Sequence, residues 1–168
     1  NRIRWFTEDE EKTIIATLQS WGDQDMVDAV IVSLDTGVRA GELSRIEKKD
    51  ITKMGLHIPI SKNEHPRLIP LTKRARNILE ERKKTLNHNR LFDFKDYWYR
   101  DRWDRLRNIL KLDDGCWHTL RHTTASRLVQ KGVQLVVVKE IMGHKTIQTT
   151  MRYAHLQPAN LVDAISVL

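Results

Sequence analysis

The sequence predicts an α+β fold, a mainly helical single domain that carries a small three-stranded antiparallel sheet. Two observations support this fold class. Apolar residues recur at helical spacing over most of the chain, and between Asp50 and Leu71 the spacing changes to alternation. The length of 168 residues fits one domain with its own hydrophobic core. We therefore expect helices before and after a short stretch of strands.

The helical segments are marked by capping signals as well as by spacing. Thr7 and Glu10 form a T-x-x-E capping box, which predicts the start of the first helix. A second amphipathic helix runs over residues 27–34 and ends near Gly37. Further helices are predicted over residues 42–46, 75–82, 96–112, 117–131 and 136–142, in a short segment after Thr146, and over residues 158–168.

The strands are predicted between the third and fourth helices. Turns are expected at residues 54–55 and around residues 62–65, which divides the segment into three strands. Pro59 and Pro70 are expected at strand ends or edges, because proline has no N–H to donate to a neighbouring strand. The apolar strand positions are Leu56, Ile58, Ile60, Leu68 and Ile69.

The chain is strongly basic, with a formal net charge of +7 and a pI of about 9.7. Excess Lys and Arg favours a polyanionic partner, with DNA or RNA first and an anionic membrane surface second. A basic protein without such a partner is the plain alternative. No stretch approaches the roughly 20 apolar residues that span a bilayer. The single cysteine, Cys116, excludes a disulfide within the chain, argues against a cysteine-based zinc cluster and suits a reducing cytosol.

A glycine-rich turn between the second and third predicted helices presents Arg39. The surrounding residues read T-G-V-R-A-G-E-L from Thr36 to Leu43. Flexible backbone lets an arginine approach a ligand closely, and the planar guanidinium fits a phosphate through two hydrogen bonds. Taken alone, such a residue is more often an ordinary arginine on the protein surface.

Two histidines and an arginine share the start of the helix predicted over residues 117–131. His118 and Arg121 are spaced i and i+3, so they lie on one face, where an imidazole beside a permanent cation suits an anionic reacting group. His118 and His122, at i and i+4, are alternatively a metal pair. Thr119 then stands where the zinc-protease motif has glutamate. A purely structural histidine is the third interpretation.

A last pair of candidates follows the helix predicted over residues 136–142. Gly143 ends that helix, and His144 lies in the turn after it. Tyr153 follows within the stretch M-R-Y-A-H. A tyrosine hydroxyl is able to act as a nucleophile, although a lone tyrosine is more often a core or surface residue.

Together these segments resemble the signature of tyrosine recombinases of the phage integrase family. The resemblance runs from about Arg4 to Leu168, and the stretches T-G-x-R-x-x-E-L, H-x-L-R-H-T and G-H-x-x-x-x-x-T-x-x-Y occur in the family's order. It implies the family's catalytic-domain fold. It also implies two catalytic arginines, the histidine between them, a second histidine and the nucleophile, which are Arg39, Arg121, His118, His144 and Tyr153 in this chain.

The family also uses a lysine on a β-hairpin, followed after a short gap by an arginine and a Val/Ile-Pro-Leu sequence. Residues 61–71 match this pattern, which implies that Lys62 is the catalytic lysine. Arg67 and Lys145 lie next to these site residues, and we expect them to contact DNA phosphates. We expect His122 to support the site structurally.

The resemblance implies cleavage and rejoining of double-stranded DNA through a 3′-phosphotyrosine at Tyr153, without metal or cofactor. The two arginines would clamp the phosphate oxygens. His118 would accept the tyrosine proton, His144 would donate a hydrogen bond to the phosphate, and Lys62 would protonate the leaving 5′ oxygen. The function implied is site-specific integration or excision. It would be performed by a homo-oligomer, a tetramer on paired sites, associated with the nucleoid in the cytoplasm of a bacterial or phage-infected cell.

The resemblance further implies that residues 1–168 are the catalytic domain of a longer protein, with an N-terminal DNA-binding domain outside this sequence. The isolated domain is then able to exist as a monomer, and residues 158–168 form a tail helix that packs on its own domain or on a neighbouring subunit. A type IB topoisomerase shares the chemistry and is the first alternative. A non-catalytic DNA-binding module and a metal-dependent nuclease follow, and the lack of clustered carboxylates argues against the nuclease.

Two further expectations concern packing. The segment rich in tryptophan, tyrosine and arginine around residues 97–107 is expected to turn its rings inward, although rings that line DNA are the alternative. Cys116 is expected to be a small buried residue.

Overall fold

The structure is a computed structural model that describes residues 3–59, 66–92, 98–158 and 166. Within these residues it is mainly helical, with one small antiparallel sheet. The helices and strands are α1 (Glu8–Ser20), α2 (Gln24–Thr36), α3 (Ala40–Leu43), β1 (Leu56–Ile58), β2 (Arg67–Ile69), α4 (Lys73–Thr85), α5 (Trp98–Leu110), α6 (His118–Gln130), α7 (Leu135–Met142) and α8 (Ile147–Met151). Short 3-10 helices cover Lys48–Asp50 and Ala154–Leu156.

The first helix begins where the capping box predicts. Glu10 N donates to Thr7 Oγ1 at 3.1 Å, and Thr7 N donates to Glu10 Oε2 at 2.8 Å. Four acidic residues in the first turn add favourable charge at the positive end of the helix dipole. Ile14 and Leu18 are fully buried on the inner face, so helical spacing and capping agree.

Helix α2 lies at the centre of the larger hydrophobic cluster. Helices α1, α4 and α6 all pack against it. Its apolar side chains are buried on several faces rather than along one stripe, which is typical of a helix surrounded by others. It ends at Gly37, which adopts a left-handed conformation with φ of 67°. The buried apolar residues of α2 are Met26, Val27, Ala29, Val30, Val32 and Leu34.

Helix α6 is buried although its inner face is polar. The Thr124 hydroxyl donates to Leu34 O of α2 at 2.8 Å, and Thr123 Oγ1 accepts from Phe6 N at 2.9 Å. These bonds satisfy polar groups that would otherwise cost free energy inside the protein. They fix the rotation of α6 relative to α2, and with it the direction of the side chains at its first turn.

The sheet contains two strands within the described residues, so the expected three-stranded sheet is wrong. β1 and β2 pair in antiparallel register, with Leu56 opposite Ile69 and Ile58 opposite Arg67. A 3-10 helix ends at Asp50, where the expected first strand would begin, and Ile51 then forms only an isolated bridge to Leu56. Both strands end directly before a proline, as predicted. Ile60 and the turn at residues 62–65 lie outside the described residues.

Other expectations differ from the structure or are confirmed in part. The third helix covers Ala40–Leu43 and begins two residues before the predicted start. Cys116 is exposed, so its predicted burial is wrong: it precedes α6, with Sγ 3.6 Å from Thr119 Oγ1. Trp103 of α5 is buried edge-on against Trp117, which confirms inward packing for that ring. Most of the predicted tail helix, residues 159–165, lies outside the described residues.

A second, smaller hydrophobic cluster lies where α6, α7 and the segment after α8 meet. It contains Tyr153, which is 2% exposed, beside Val129, Val138 and Met142. One candidate catalytic residue is therefore part of the core. No helix among the described residues is long and apolar enough to cross a membrane.

We predict that Thr7→Ala lowers the free energy of unfolding by about 1 kcal/mol, because the variant loses the hydroxyl that caps α1. Urea denaturation measures the loss. Thr13→Ala is the matched control, since Thr13 is exposed on the same helix and alanine favours helix more than threonine does. Equal losses in the two variants would contradict the capping argument.

Candidate active site

The candidate residues meet where helices α2 and α7 both end. Arg121 of α6 lies between these two ends. Its Nη1 donates to Gly37 O at 2.5 Å, and its Nη2 donates to Met142 O. Carbonyls at a helix C-terminus lack partners within the helix and carry partial negative charge, so they suit a guanidinium group. One side chain thus joins three helices.

Arg121 is only 3% exposed, although it is charged. Burial, followed by the positive charge of Arg39, lowers its pKa to about 10, and the negative charge of Glu42 partly opposes the shift. The side chain therefore stays protonated at neutral pH. Because its charge is only partly compensated inside the protein, an anion that reached this place would be bound favourably.

Arg39 begins helix α3 and is held by a carboxylate three residues later. Arg39 N donates to Glu42 Oε2 at 2.8 Å, and Arg39 Nη1 lies 3.4 Å from Glu42 Oε1. The Arg39 side chain is 33% exposed, whereas that of Glu42 is 5% exposed. The guanidinium is therefore fixed at its inner edge and accessible at its outer one. Glu42 is the glutamate of the T-G-x-R-x-x-E-L stretch, but the resemblance assigned it no role; its spacing from Arg39 is that of a capping box.

Glu42 has a second arginine partner, Arg67 on β2. Arg67 Nη1 and Nη2 donate to the two carboxylate oxygens of Glu42, each at 2.8 Å. Arg67 Nε also donates to Ile141 O at 3.0 Å. A carboxylate shared by two guanidiniums, with most of its oxygen lone pairs occupied, is the kind of buried ion pair that tolerates burial. Arg67 thus links the sheet, α3 and α7.

Gly143 allows this packing. It adopts a left-handed conformation with φ of 63°, and a Cβ atom at this position would lie 2.7 Å from Arg67 Nη1. Only glycine accommodates both the conformation and the close approach. The Gly-His sequence therefore has a structural reason that is separate from the chemistry of the histidine.

Tyr153 is held in the site by His122. The Tyr153 hydroxyl lies 2.6 Å from His122 Nδ1. Burial raises the pKa of Tyr153, and the charges of Arg152 and Arg121 partly oppose this effect. The phenol is therefore neutral at rest, and it needs a proton acceptor to become a nucleophile.

His144 packs parallel to the tyrosine ring. The ring centroids of His144 and Tyr153 are 6.5 Å apart with an interplanar angle of 2°. Its Nδ1 lies 2.8 Å from Thr150 Oγ1, and the residue is 7% exposed. Burial, followed by the charges of Arg121 and Arg39, lowers the pKa of His144 to about 3. His144 is therefore neutral at physiological pH.

His118 lies exposed at the start of α6. Its ring meets that of His122 edge to face, with 4.7 Å between centroids. Burial, followed by the charges of Arg121 and Arg39, lowers the pKa of His118. The His118 side chain therefore lies within electrostatic range of Arg121 and Arg39, on the solvent-exposed side of the site.

Arg152 was not predicted as a site residue. It is exposed. After burial, which is the largest cause in each case, its charge contributes to the lowered pKa of His118, His122 and His144. Its place directly before Tyr153 is the signal that the sequence offered. Three arginines, Arg39, Arg121 and Arg152, therefore act electrostatically on one group of histidines.

The remaining predicted residues are distributed differently. Lys62 lies outside the described residues. Lys145 is exposed in the turn after His144, where its side chain is accessible. Arg67 is 8% exposed and engaged with Glu42, so the structure gives it an internal partner, and its contact with DNA stays a prediction.

A cleft of about 370 Å³ opens beside His118. Its walls include Trp117 and Trp103, and Arg100 and Arg107 of α5 line it as well. Within residues 3–59, 66–92 and 98–158, no group of three or more His, Cys, Asp or Glu side chains converges to hold a metal ion. The candidate residues thus form a cationic cluster of side chains with neutral histidines and a buried phenol, which suits binding and attack at an anionic centre.

Comparison with known proteins agrees with this description. The profile described as "Phage integrase family" matches residues 4–160. The chain is 32% identical over 137 residues to the Shufflon-specific DNA recombinase of Escherichia coli, which covers 80% of this chain and 35% of the recombinase. Matches to the integrases of Escherichia phages 186 and P2 cover 48% and 46% of those proteins. The chain therefore spans less than half the length of these relatives.

Two solved structures have a similar fold. The catalytic domain of bacteriophage HP1 integrase superimposes with a TM-score of 0.79 at 24% identity, over 98% of this chain and 94% of that one. The Tn1549 transposon integrase, solved in complex with circular intermediate DNA, gives a TM-score of 0.80 at 19% identity, over 99% of this chain and 66% of that one. Because both sequence identities are below 25%, these two structures show that the fold is similar and nothing more.

We predict that acid destabilises the protein through His144. Its pKa is about 3 in the folded chain and near 6.5 in the unfolded chain. Between these values the unfolded state binds a proton that the folded state does not, so the free energy of unfolding falls as the pH drops below about 6.5. Urea denaturation at pH 7.5 and at pH 5.0 measures this effect. Between the two pH values, the free energy of unfolding of His144→Gln should fall by about 1–2 kcal/mol less than that of the wild type.

The control is His88→Gln, because His88 is exposed. This variant should keep the pH dependence of the wild type. If His144→Gln kept it as well, His144 would not be a buried neutral histidine.

Proposed function

The chain belongs to the phage integrase family, and on that premise we propose that it is the catalytic part of a tyrosine-type site-specific DNA recombinase. One observation carries the proposal: the buried Tyr153 hydroxyl lies beside His122 of its own chain and within electrostatic range of Arg121 and Arg152. A buried phenol among cations suits nucleophilic attack on a phosphodiester.

The substrate would be a phosphodiester of double-stranded DNA. Its transition state gathers negative charge on the non-bridging oxygens, and preorganised guanidinium groups stabilise that charge. Arg39 offers an accessible outer edge, and Arg121 supplies a buried charge that needs an anion. The net charge of +7 favours association with DNA in general. Lys145, Arg67 and the arginines of α5 are further candidates for phosphate contacts.

The reaction would proceed in two transesterification steps. Tyr153 Oη forms a bond to phosphorus while the bond from phosphorus to the 5′ oxygen breaks, which leaves a 3′-phosphotyrosine and a free 5′-hydroxyl. The 5′-hydroxyl of another strand then reverses the step. The energy of the broken bond is kept in the phosphotyrosine, so the chemistry requires neither ATP nor a metal ion.

The other site residues would assist the phosphate and the leaving group. His118, exposed beside the arginines, is placed to donate to a phosphate oxygen or to accept a proton. His144 would orient the Tyr153 ring and donate to the phosphate. Lys62 would protonate the leaving 5′ oxygen, as the resemblance implies. Each role is a proposal about this chain.

The activity of the whole protein is a further proposal, since the chain spans less than half of its relatives. We propose site-specific integration or excision on paired DNA sites by a homotetramer inside a bacterial or phage-infected cell. The name of the Shufflon-specific DNA recombinase and the DNA in the Tn1549 integrase structure support the choice of DNA.

We predict that Tyr153→Phe abolishes a covalent protein–DNA adduct. The adduct would be trapped on nicked duplexes with a randomised sequence around the nick, resolved in denaturing gels and mapped by peptide sequencing. The variant lacks the oxygen that forms the bond, whereas its folding and DNA retention should change little. An adduct that survived in the variant, for example at Tyr97 or Tyr99, would overturn the assignment of the nucleophile.

We also predict that Arg39→Ala slows adduct formation by at least about 100-fold, as expected for a preorganised charge stabiliser. Arg45→Ala is the matched control, because Arg45 is exposed on the same short segment. Excess EDTA should leave the wild-type rate unchanged. A near-normal rate for Arg39→Ala would make it a surface arginine, and inhibition by EDTA would restore the metal interpretation of His118 and His122.

A further inference from the structure

The hydrogen bond between Tyr153 and His122 points to a chemical role that neither the motif nor the resemblance assigns. We propose that His122 is the group that receives the Tyr153 proton when the phenol attacks phosphorus. The inference rests on the proposed function and names a further catalytic residue for it. His118, which the resemblance suggests as the proton acceptor, would then act on the phosphate.

The geometry favours His122 over the other two histidines. His122 Nδ1 is 2.6 Å from the Tyr153 oxygen, within the range of a strong hydrogen bond. His144 directs its Nδ1 to Thr150, and its ring is parallel to that of the tyrosine rather than in line with the hydroxyl. His118 meets the ring of His122 instead of the phenol. Of these three histidines, His122 is the one that is hydrogen-bonded to the reacting oxygen.

The surrounding helix holds His122 rigidly. It lies one residue after Arg121, which is bonded to the ends of α2 and α7, and one residue before Thr123, which accepts from Phe6 N. Both neighbours fix the backbone of α6 on either side. A proton acceptor at a fixed distance from its donor suits general base catalysis.

Each proton in the proposed step has a donor and an acceptor. The Tyr153 oxygen forms its bond to phosphorus, and its proton moves to His122 Nδ1, which becomes an imidazolium. The bond between phosphorus and the 5′ oxygen breaks, and that oxygen takes a proton from the general acid of the site or from water. On reversal, the attacking 5′-hydroxyl gives its proton to that same acid or to water. The imidazolium returns its proton to the departing phenolate, and the resting state is restored.

Because of the charges around it, His122 would accept the tyrosine proton effectively only when substrate is bound. Burial, followed by the positive charges of His118, Arg152 and Arg121, lowers the pKa of His122 to about 4. A phosphodiester bound at these arginines would bring negative charge that offsets theirs and raises the pKa of His122. His122 would therefore become an effective base only when DNA occupies the site, which restrains reaction of the tyrosine without substrate.

The first test is the tautomer of His122, measured by 15N NMR on histidine-labelled protein. The proposal requires Nδ1 to be unprotonated and to accept from Tyr153, with the proton on Nε2. Tyr153→Phe should change the 15N chemical shifts of His122, and this change identifies the His122 signals in the spectrum. A proton on Nδ1 would make His122 the donor and overturn the proposal. This measurement needs no cleavage, so it is independent of the proposed function.

The second test is adduct formation by His122→Gln on the nicked duplexes. Glutamine keeps an oxygen that can accept from the tyrosine but does not take up a proton, so the rate should fall by about 100-fold or more, with unchanged urea denaturation. His88→Gln, exposed and outside the site, should match the wild type. The wild-type rate should also decline towards acid pH, whereas the residual rate of His122→Gln should not.

The outcomes separate the two proposals. If the wild type forms an adduct at Tyr153 and His122→Gln reacts at the same rate, the proton-acceptor role is wrong and the recombinase chemistry stands. If the wild type forms no adduct, the proposed function fails first, and the inference that rests on it fails with it.

Discussion

The interaction on which the site depends is the contact of Arg121 with the C-terminal ends of two helices. Gly37 O and Met142 O both accept from its guanidinium. Each helix end contributes roughly half a negative charge, which compensates part of the buried positive charge. Removal of this side chain would leave two carbonyls without a partner. The positions of Arg39, after the first helix end, and of His144, after the second, therefore follow from one residue of α6.

The same arrangement explains why the site is electrostatically incomplete. Glu42 is shared by Arg39 and Arg67, whereas the hydrogen bonds of Arg121 go to two neutral backbone carbonyls. Burial lowers the pKa of the three histidines, and the excess positive charge lowers it further, so the histidines stay neutral. An entering phosphate would supply the missing negative charge. Binding of substrate and activation of the catalytic groups are then consequences of one electrostatic imbalance.

Local sequence signals predicted the helices well, because capping and apolar spacing act within a few residues, as at Thr7 and Glu10. The prediction of a third strand was wrong because strand pairing depends on distant segments. Ile51 follows a 3-10 helix and makes only one bridge. The candidate residues could be picked out by motif, but their contacts could not. Neither the burial of Arg67 against Glu42 nor the bond from His122 to a tyrosine 31 residues away has a local signature.

The central claim is that a single chain assembles the whole site, with the nucleophile beside its own arginines. Mixing Tyr153→Phe protein with Arg39→Ala protein tests this directly on nicked duplexes. The account predicts no adduct above the level of Arg39→Ala alone, because neither chain contains both the phenol and Arg39. Restoration of adduct in the mixture would contradict it, since the tyrosine of one chain would then react in the pocket of another.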